Sequence, residues 1–186
     1  DLFRAHPEWA LRTPGRAMSQ GRNQYVLNFA DNEVVDHIYG QMYSLLSSAN
    51  IAYIKWDMNR YISEGYDITR DAAHQGELFH RYILGVYGLM ERLLQAFPDL
   101  LIESCASGGG RFDMGMLYYS PQIWCRDDTD AVERLNIQYG TSVFYPLVSM
   151  GSHVSITPNH QTGRVTPLHT RSNVAMFGTF GYELDL

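Results

Sequence analysis

The chain has 186 residues, 45% hydrophobic and 18% charged, which is enough apolar material for one globular core. A net charge of −6 excludes the basic footprint of a nucleic-acid binder. No stretch approaches the ~18 consecutive apolar residues of a membrane-spanning helix.

Two cysteines, Cys105 and Cys125, make no disulfide framework and favour a reduced, cytoplasmic setting. Aromatic residues are abundant, with 13 Tyr and 3 Trp, and suit either a large core or a ring-stacking sugar site. The chain opens at Asp1 without a methionine, on a loop-like run, DLFRAHPEWALRTPGR. A piece of a longer protein is therefore expected, and the lack of a visible signal peptide carries no weight.

Strand and helix signals alternate along the chain. QYVLNF (24–29) reads as a short strand. Asp31 or Asn32 can cap the helix that follows, where Val34, Ile38, Met42 and Leu45 recur at helical spacing. IAYIKW (51–56) is the next strand. A longer helix is expected around 74–97, with Phe79, Ile83, Val86, Met90, Leu93 and Phe97 as a core-facing stripe ended by Pro98. LLIES (100–104) is a strand that runs into the glycine-rich turn SGGGRFDMG. PQIWCRDD (121–128) reads as another strand, and Asp130 can cap a helix beginning at AVERLNIQYG. LVSMGSHVSIT (147–157) and AMFGTFGYELDL (175–186) are later strands, both broken by glycines. This alternation predicts parallel βαβ units, compatible with a doubly wound sheet or a (β/α)8 barrel. Polar residues at the C-terminal ends of successive strands favour the barrel, where catalytic groups come from many strand ends. Such a barrel typically needs ~250 residues, so the expectation is an incomplete TIM barrel of five or six strands.

Side chains alternate along a strand. Ala52, Ile54 and Trp56 then share one face, and Tyr53, Lys55 and Asp57 share the other. With the apolar face toward helices, Lys55 and Asp57 point inward, where each can support the other's charge. A structural ion pair explains them equally well. In the next strand Leu101, Glu103 and Cys105 share a face. Extending the alternation through 121–128 puts Asp127 with Ile123 and Cys125, and Asp128 with Trp124 and Arg126. Asp57 and Asp127 thus end two strands on what can be one rim. One ionised and one protonated carboxyl is what glycoside hydrolysis requires. Rival readings stand beside this one. DDTD (127–130) has the clustered oxygens that suit Mg²⁺. SGGGR lacks the Lys–Ser/Thr of a P-loop and is a weak phosphate signal. His153 and His160 lack tight metal-ligand spacing and read as structural groups, and Gly108–Gly110 read as a turn with unusual backbone angles.

KWDMNR, ESCASGGGRFDMGMLYY, WCRDDTDAVERLNIQYGTS, SHVSITPNHQTGR and FGYELDL occur in order across nearly the whole chain. Together they resemble the α-galactosidases of glycoside hydrolase family 36, in their bacterial and fungal raffinose- and melibiose-cleaving branch. The resemblance implies a (β/α)8 catalytic barrel present here as roughly strands 3 to 8 over residues 1–186. An N-terminal β-sandwich, the first barrel strands and a C-terminal β-domain would lie outside it. It implies a retaining mechanism with Asp57 as nucleophile and Asp127 as acid/base. It also implies galactose contacts from Lys55, Asn59, Arg22, Cys105 and Gly108. Trp124, Asp128 and His153 are further candidates to line the site. No metal or cofactor is implied. The expected partner is an α-galactoside such as melibiose, raffinose or stachyose, and the full-length protein is expected to be a homo-oligomer, tetramers included. Galactosyl transfer as in raffinose-synthase relatives, α-N-acetylgalactosaminidase activity and inactive sugar binding are the alternatives. Arg126 departs from the family pattern, where a small residue is expected.

Overall fold

A computed structural model describes residues 1–184. The chain forms two compact units, residues 1–52 with 59–100, and residues 53–58 with the chain from Leu101 onward.

The first unit contains a short helix α1 (Leu2–Ala5), then α2 (Asn32–Ser48) and α3 (Leu78–Ala96). Asp31 caps α2 as expected: its backbone is extended and its Oδ1 accepts from the Glu33 amide at 2.9 Å. The buried positions of α2 are Val34, Val35 and Leu46, whereas Leu45 is exposed. In α3 the buried face is Leu78, Tyr82, Val86, Leu89, Met90 and Leu93. It shares Val86, Met90 and Leu93 with the expected stripe. Phe79 and Ile83 fall one residue around the helix and are exposed. A 3-10 turn at Ala72–Glu77 precedes α3, and Asp71 caps that turn through the His74 amide. The helix stops as expected at Pro98, which has no N–H to continue the ladder. An Arg92–Asp36 ion pair at 2.6 Å ties α3 to α2. The run 24–29 is not a strand. It makes two isolated antiparallel bridges, Gly21 to Gln24 within a tight turn and Ala10 to Leu27, the latter with hydrogen bonds to Trp9 and Leu11 on either side. Each partner is an equally short segment, so neither ladder can propagate.

The second unit holds β1 (Tyr53–Asp57), β2 (Leu101–Cys105), α4 (Met114–Tyr119), β3 (Gln122–Ile123), α5 (Ala131–Ser142), β4 (Gly151–Ser155), α6 (Leu168–Ala175) and β5 (Thr179–Glu183). The pairs β1–β2, β2–β3 and β4–β5 are all parallel, and an Ile123–Met150 bridge, also parallel, links the end of β3 to the start of β4. Each strand therefore neighbours the next in chain order. A helix lies between successive strands from β2 onward, as parallel crossovers require. The run 121–128 keeps only two strand residues. Trp124 N–H still donates to Ser104 at 2.9 Å, and beyond it the chain is irregular. The run 147–157 begins with a 3-10 turn before β4. In 175–186, Ala175 ends α6, β5 begins at Thr179, and residues 185–186 lie outside the described residues. The helices α4 and α6 had no clear sequence signal, being six and eight residues long and too short to display a periodic stripe.

Asp130 caps α5 as expected, accepting from the Val132 and Glu133 amides. The buried face of α5 is polar: Arg134 donates to Gly151 O at 2.6 Å, and Gln138 donates to Val174 O at 3.0 Å. A carbonyl at the start of β4 and one in the last turn of α6 thus find donors without water.

Candidate active site

The register of the sheet explains how the site is assembled. Lys55 pairs with Glu103, Glu103 pairs with Gln122, and Asp57 pairs with Cys105. Alternation in each strand puts Lys55, Glu103 and Gln122 in one row on one face. Glu103 is 1% exposed. Its Oε2 accepts from the Tyr53 hydroxyl and, at 2.6 Å, from Gln122 Nε2. Its Oε1 has no hydrogen-bond partner but lies 3.7 Å from Lys55 Nζ. Burial, and then the neighbouring Glu103, push the Tyr53 phenol well above its ordinary pKa, so Tyr53 remains a donor. The expectation that Lys55 and Asp57 support each other omits this carboxylate: Glu103, one strand over, faces the ammonium. Strand parity had already put Glu103 on the inward face. A carboxylate at such a position, with a lysine on the adjoining strand, was the signal that could have singled it out.

Lys55 Nζ also sits 5.0 Å from the centroid of the Trp124 ring. Trp124 is buried, stacks on His153 at 4.7 Å and 24°, and carries the Arg134 guanidinium at 4.7 Å. A cation over an indole face is attracted by its quadrupole. His153 in turn reaches Glu183 at 3.4 Å. Lys55, Trp124, His153 and Glu183 therefore form one continuous run of contacts from β1 to β5, while His160 is exposed outside it.

At the C-terminal ends of β1 and β2, the Cys105 thiol donates to the Asp57 carboxylate. Burial pushes the thiol up to about 11; the Gly108 amide opposes that shift and the Asp57 charge adds to it. Cys105 is thus a protonated thiol beside the Asp57 carboxylate. The turn beyond it holds Ser107 at φ 51° and Gly108 at φ 80°. A Cβ on Gly108 would stand 2.6 Å from Arg126 Cα, so only glycine permits both this backbone and this approach. Gly109 N–H donates to Cys125 O at 2.9 Å, and the Arg111 guanidinium donates to Met58 O. The turn therefore joins the end of β1 to the segment leading into Asp127.

Asp127 is exposed and lies past the end of β3. The alternation used to face it, and to turn Arg126 away, does not extend there. The DDTD run divides by role. Asp128 Oδ1 accepts from the Asp130 amide at 3.0 Å. Asp130 caps α5 and takes Thr162 and Arg164, each at 2.5 Å. Burial raises the Asp130 pKa, but those hydrogen bonds outweigh it and hold the carboxyl below its ordinary range. These carboxylates diverge, and among the described residues no group of three or more His, Cys, Asp or Glu side chains is arranged to hold a metal.

Arg22 and Asn59 belong to the first unit. Arg22, at φ 53°, sits in the tight turn Gly21–Gln24. Arg60 braces that turn through Gln24 O at 3.2 Å and Ser19 O at 3.0 Å. Asn59 directly follows the Asp57–Met58 strand end in the chain.

No described helix is long and apolar enough to cross a membrane. Similarity to known proteins is extensive. The chain is 54% identical to the α-galactosidase Mel36A of Lactobacillus acidophilus over 186 residues, which is all of this chain and 25% of that protein. It is 56% identical over 185 residues to the bifunctional α-galactosidase/sucrose kinase AgaSK of Mediterraneibacter gnavus, 19% of that protein. The crystal structure of the α-galactosidase from Lactobacillus brevis superposes with a TM-score of 0.97 at 56% identity, covering 100% of this chain and 25% of that one. Two variants of the family 36 α-galactosidase AgaA from Geobacillus stearothermophilus, crystallised with raffinose and with stachyose, each superpose with a TM-score of 0.97 at 53% identity, covering 100% of this chain and 26% of theirs. One aspartate is replaced by asparagine in the raffinose complex, and a different one by alanine in the stachyose complex. The chain thus spans about a quarter of most of these relatives. The melibiase family matches residues 1–186. The chain belongs to the melibiase family along its whole length, in keeping with the resemblance of its motifs.

Proposed function

We propose that this chain carries the catalytic pair of a retaining α-galactosidase acting on raffinose-type galactosides. One observation carries the assignment. The two aspartates replaced in the raffinose and stachyose complexes of AgaA are separated by the same number of residues as Asp57 and Asp127. The fold supports the same reading. Five parallel strands, each beside the next in chain order, suit the wall of an incomplete (β/α)8 barrel with its chemistry at the C-terminal strand ends.

In this mechanism Asp57 attacks the anomeric carbon as the glycosidic C–O bond breaks, and Asp127 gives its proton to the leaving oxygen. Asp127 then takes a proton from water, which attacks the galactosyl ester, releases galactose and regenerates Asp57. The Cys105 thiol orients Asp57 by donating to it. Lys55, held between Glu103 and Trp124, offers its ammonium to galactose hydroxyls.

The test is mutagenesis of the pair in the full-length protein. Asp57→Asn removes hydrolysis and leaves raffinose binding measurable by calorimetry. Asp127→Ala loses activity on raffinose, and azide rescues its turnover of aryl galactosides with good leaving groups, giving galactosyl azide. Substantial hydrolysis by Asp57→Asn, or no azide rescue in Asp127→Ala, overturns the assignment.

A further inference from the structure

Asp127 lies on an irregular segment with no strand ladder to hold it. Three successive carbonyls of that segment are nevertheless each captured by a different element. Cys125 O accepts from Gly109 N–H at 2.9 Å, Arg126 O from Arg134 Nη1 at 3.2 Å, and Asp127 O from Gln161 Nε2 at 3.0 Å. The same Gln161 side chain accepts from the Thr129 amide through its Oε1 at 2.9 Å. One carboxamide thus spans the Asp127–Thr129 bend from carbonyl to amide.

The chemistry explains the residue type. Asp127 O needs a donor and Thr129 N–H needs an acceptor. Among side chains of this length only a glutamine offers both in one plane, since glutamate cannot donate and lysine cannot accept. Gln161 is itself held: its amide donates to Asn159 Oδ1 at 2.9 Å, and Asn159, 5% exposed, donates to Thr129 Oγ1 at 2.9 Å. Thr162 and Arg164 from the same loop fasten Asp130. The loop 159–164 therefore grips the 127–130 segment along its length.

We propose that Gln161 is a positioning residue for the acid/base, fixing Asp127 through its backbone and touching neither sugar nor reacting atoms. This rests on the role given to Asp127 above. A proton donor misplaced by a fraction of an ångström hurts most where the leaving group most needs its proton.

The experiment compares Gln161→Ala and Gln161→Glu with the parent in the full-length protein, on raffinose and on an aryl α-galactoside with a good leaving group. Gln161→Ala is expected to lower kcat/KM on raffinose by about tenfold or more and on the activated substrate by less than about twofold, within the range that general acid catalysis supplies. Gln161→Glu, which keeps the acceptor and loses the donor, should show the same selective loss. In an Asp127→Ala background, Gln161→Ala should add nothing. Equal losses on both substrates, no loss, or full additivity with Asp127→Ala overturns the proposal. If Asp127→Ala itself shows no leaving-group dependence, the acid/base assignment fails instead, so the two failures are separable.

Discussion

Replacing Gly108 by alanine tests how tightly the glycine turn and the Asp127 segment are coupled. Two costs add. Gly108 has φ 80°, and a Cβ in the left-handed region costs about 1–2 kcal/mol. The new Cβ would also lie 2.6 Å from Arg126 Cα and 3.0 Å from Arg126 N. These are backbone atoms, so no side chain can swing aside. Reaching an ordinary contact near 3.4 Å requires the 125–127 segment to retreat by roughly 0.8 Å. Overpacking of this kind costs a further ~1–3 kcal/mol, giving about 2–5 kcal/mol in all. The retreat moves Asp127 with it, and a displacement near 1 Å lowers kcat by roughly 10- to 100-fold. Gly15 is the internal control: its φ is 71°, yet nothing lies within 4 Å of a Cβ there. Gly15→Ala should cost only about 1–2 kcal/mol and leave kcat unchanged. Urea unfolding and raffinose hydrolysis by the full-length variants supply both measurements. A Gly108→Ala protein no less stable than Gly15→Ala, with wild-type kcat, refutes the packing argument.

Two further predictions concern buried groups. At 3.7 Å the Glu103–Lys55 pair attracts by about 4–5 kcal/mol at an effective dielectric near 20. Lys55 is 35% exposed, so solvent screening reduces the net stabilisation to about 2 kcal/mol. Glu103→Gln should lose about that much in urea unfolding and raise KM for raffinose more than it lowers kcat. An unchanged KM would mean that Glu103 does not act through Lys55. Cys105, with its thiol pushed up to about 11, should resist iodoacetamide at pH 7.5, where roughly one thiol in a few thousand is ionised. Its alkylation followed by mass spectrometry should accelerate as pH rises toward 11 and should be faster in Asp57→Asn, which lacks the opposing charge. Rapid labelling of the folded protein at pH 7.5 would contradict the burial assigned to it.

Much of the site is legible in the sequence. The alternation in YIKWD put Tyr53, Lys55 and Asp57 on one face, and the register carries that face through Glu103 and Gln122. Asp31 and Asp130 announced their helices because capping is decided within a few residues. Where a pattern outran its element, it misled. The 121–128 strand is only two residues long, so parity had no meaning at Asp127. In α3 two apolar stripes overlap, and the packing partner selected the one with Leu78, Tyr82 and Leu89 in place of Phe79 and Ile83.

The sequence by itself determined the local periods, the caps, the glycine turn and, through its ordered motifs, the family. These follow from backbone geometry and from side chains a few positions apart. Only the tertiary structure decided that Lys55 faces Glu103, that Cys105 donates to Asp57, and that Gln161 holds the carbonyl of Asp127. Those contacts join residues from 34 to 48 positions apart, whose meeting depends on strand register and loop packing that no local pattern encodes.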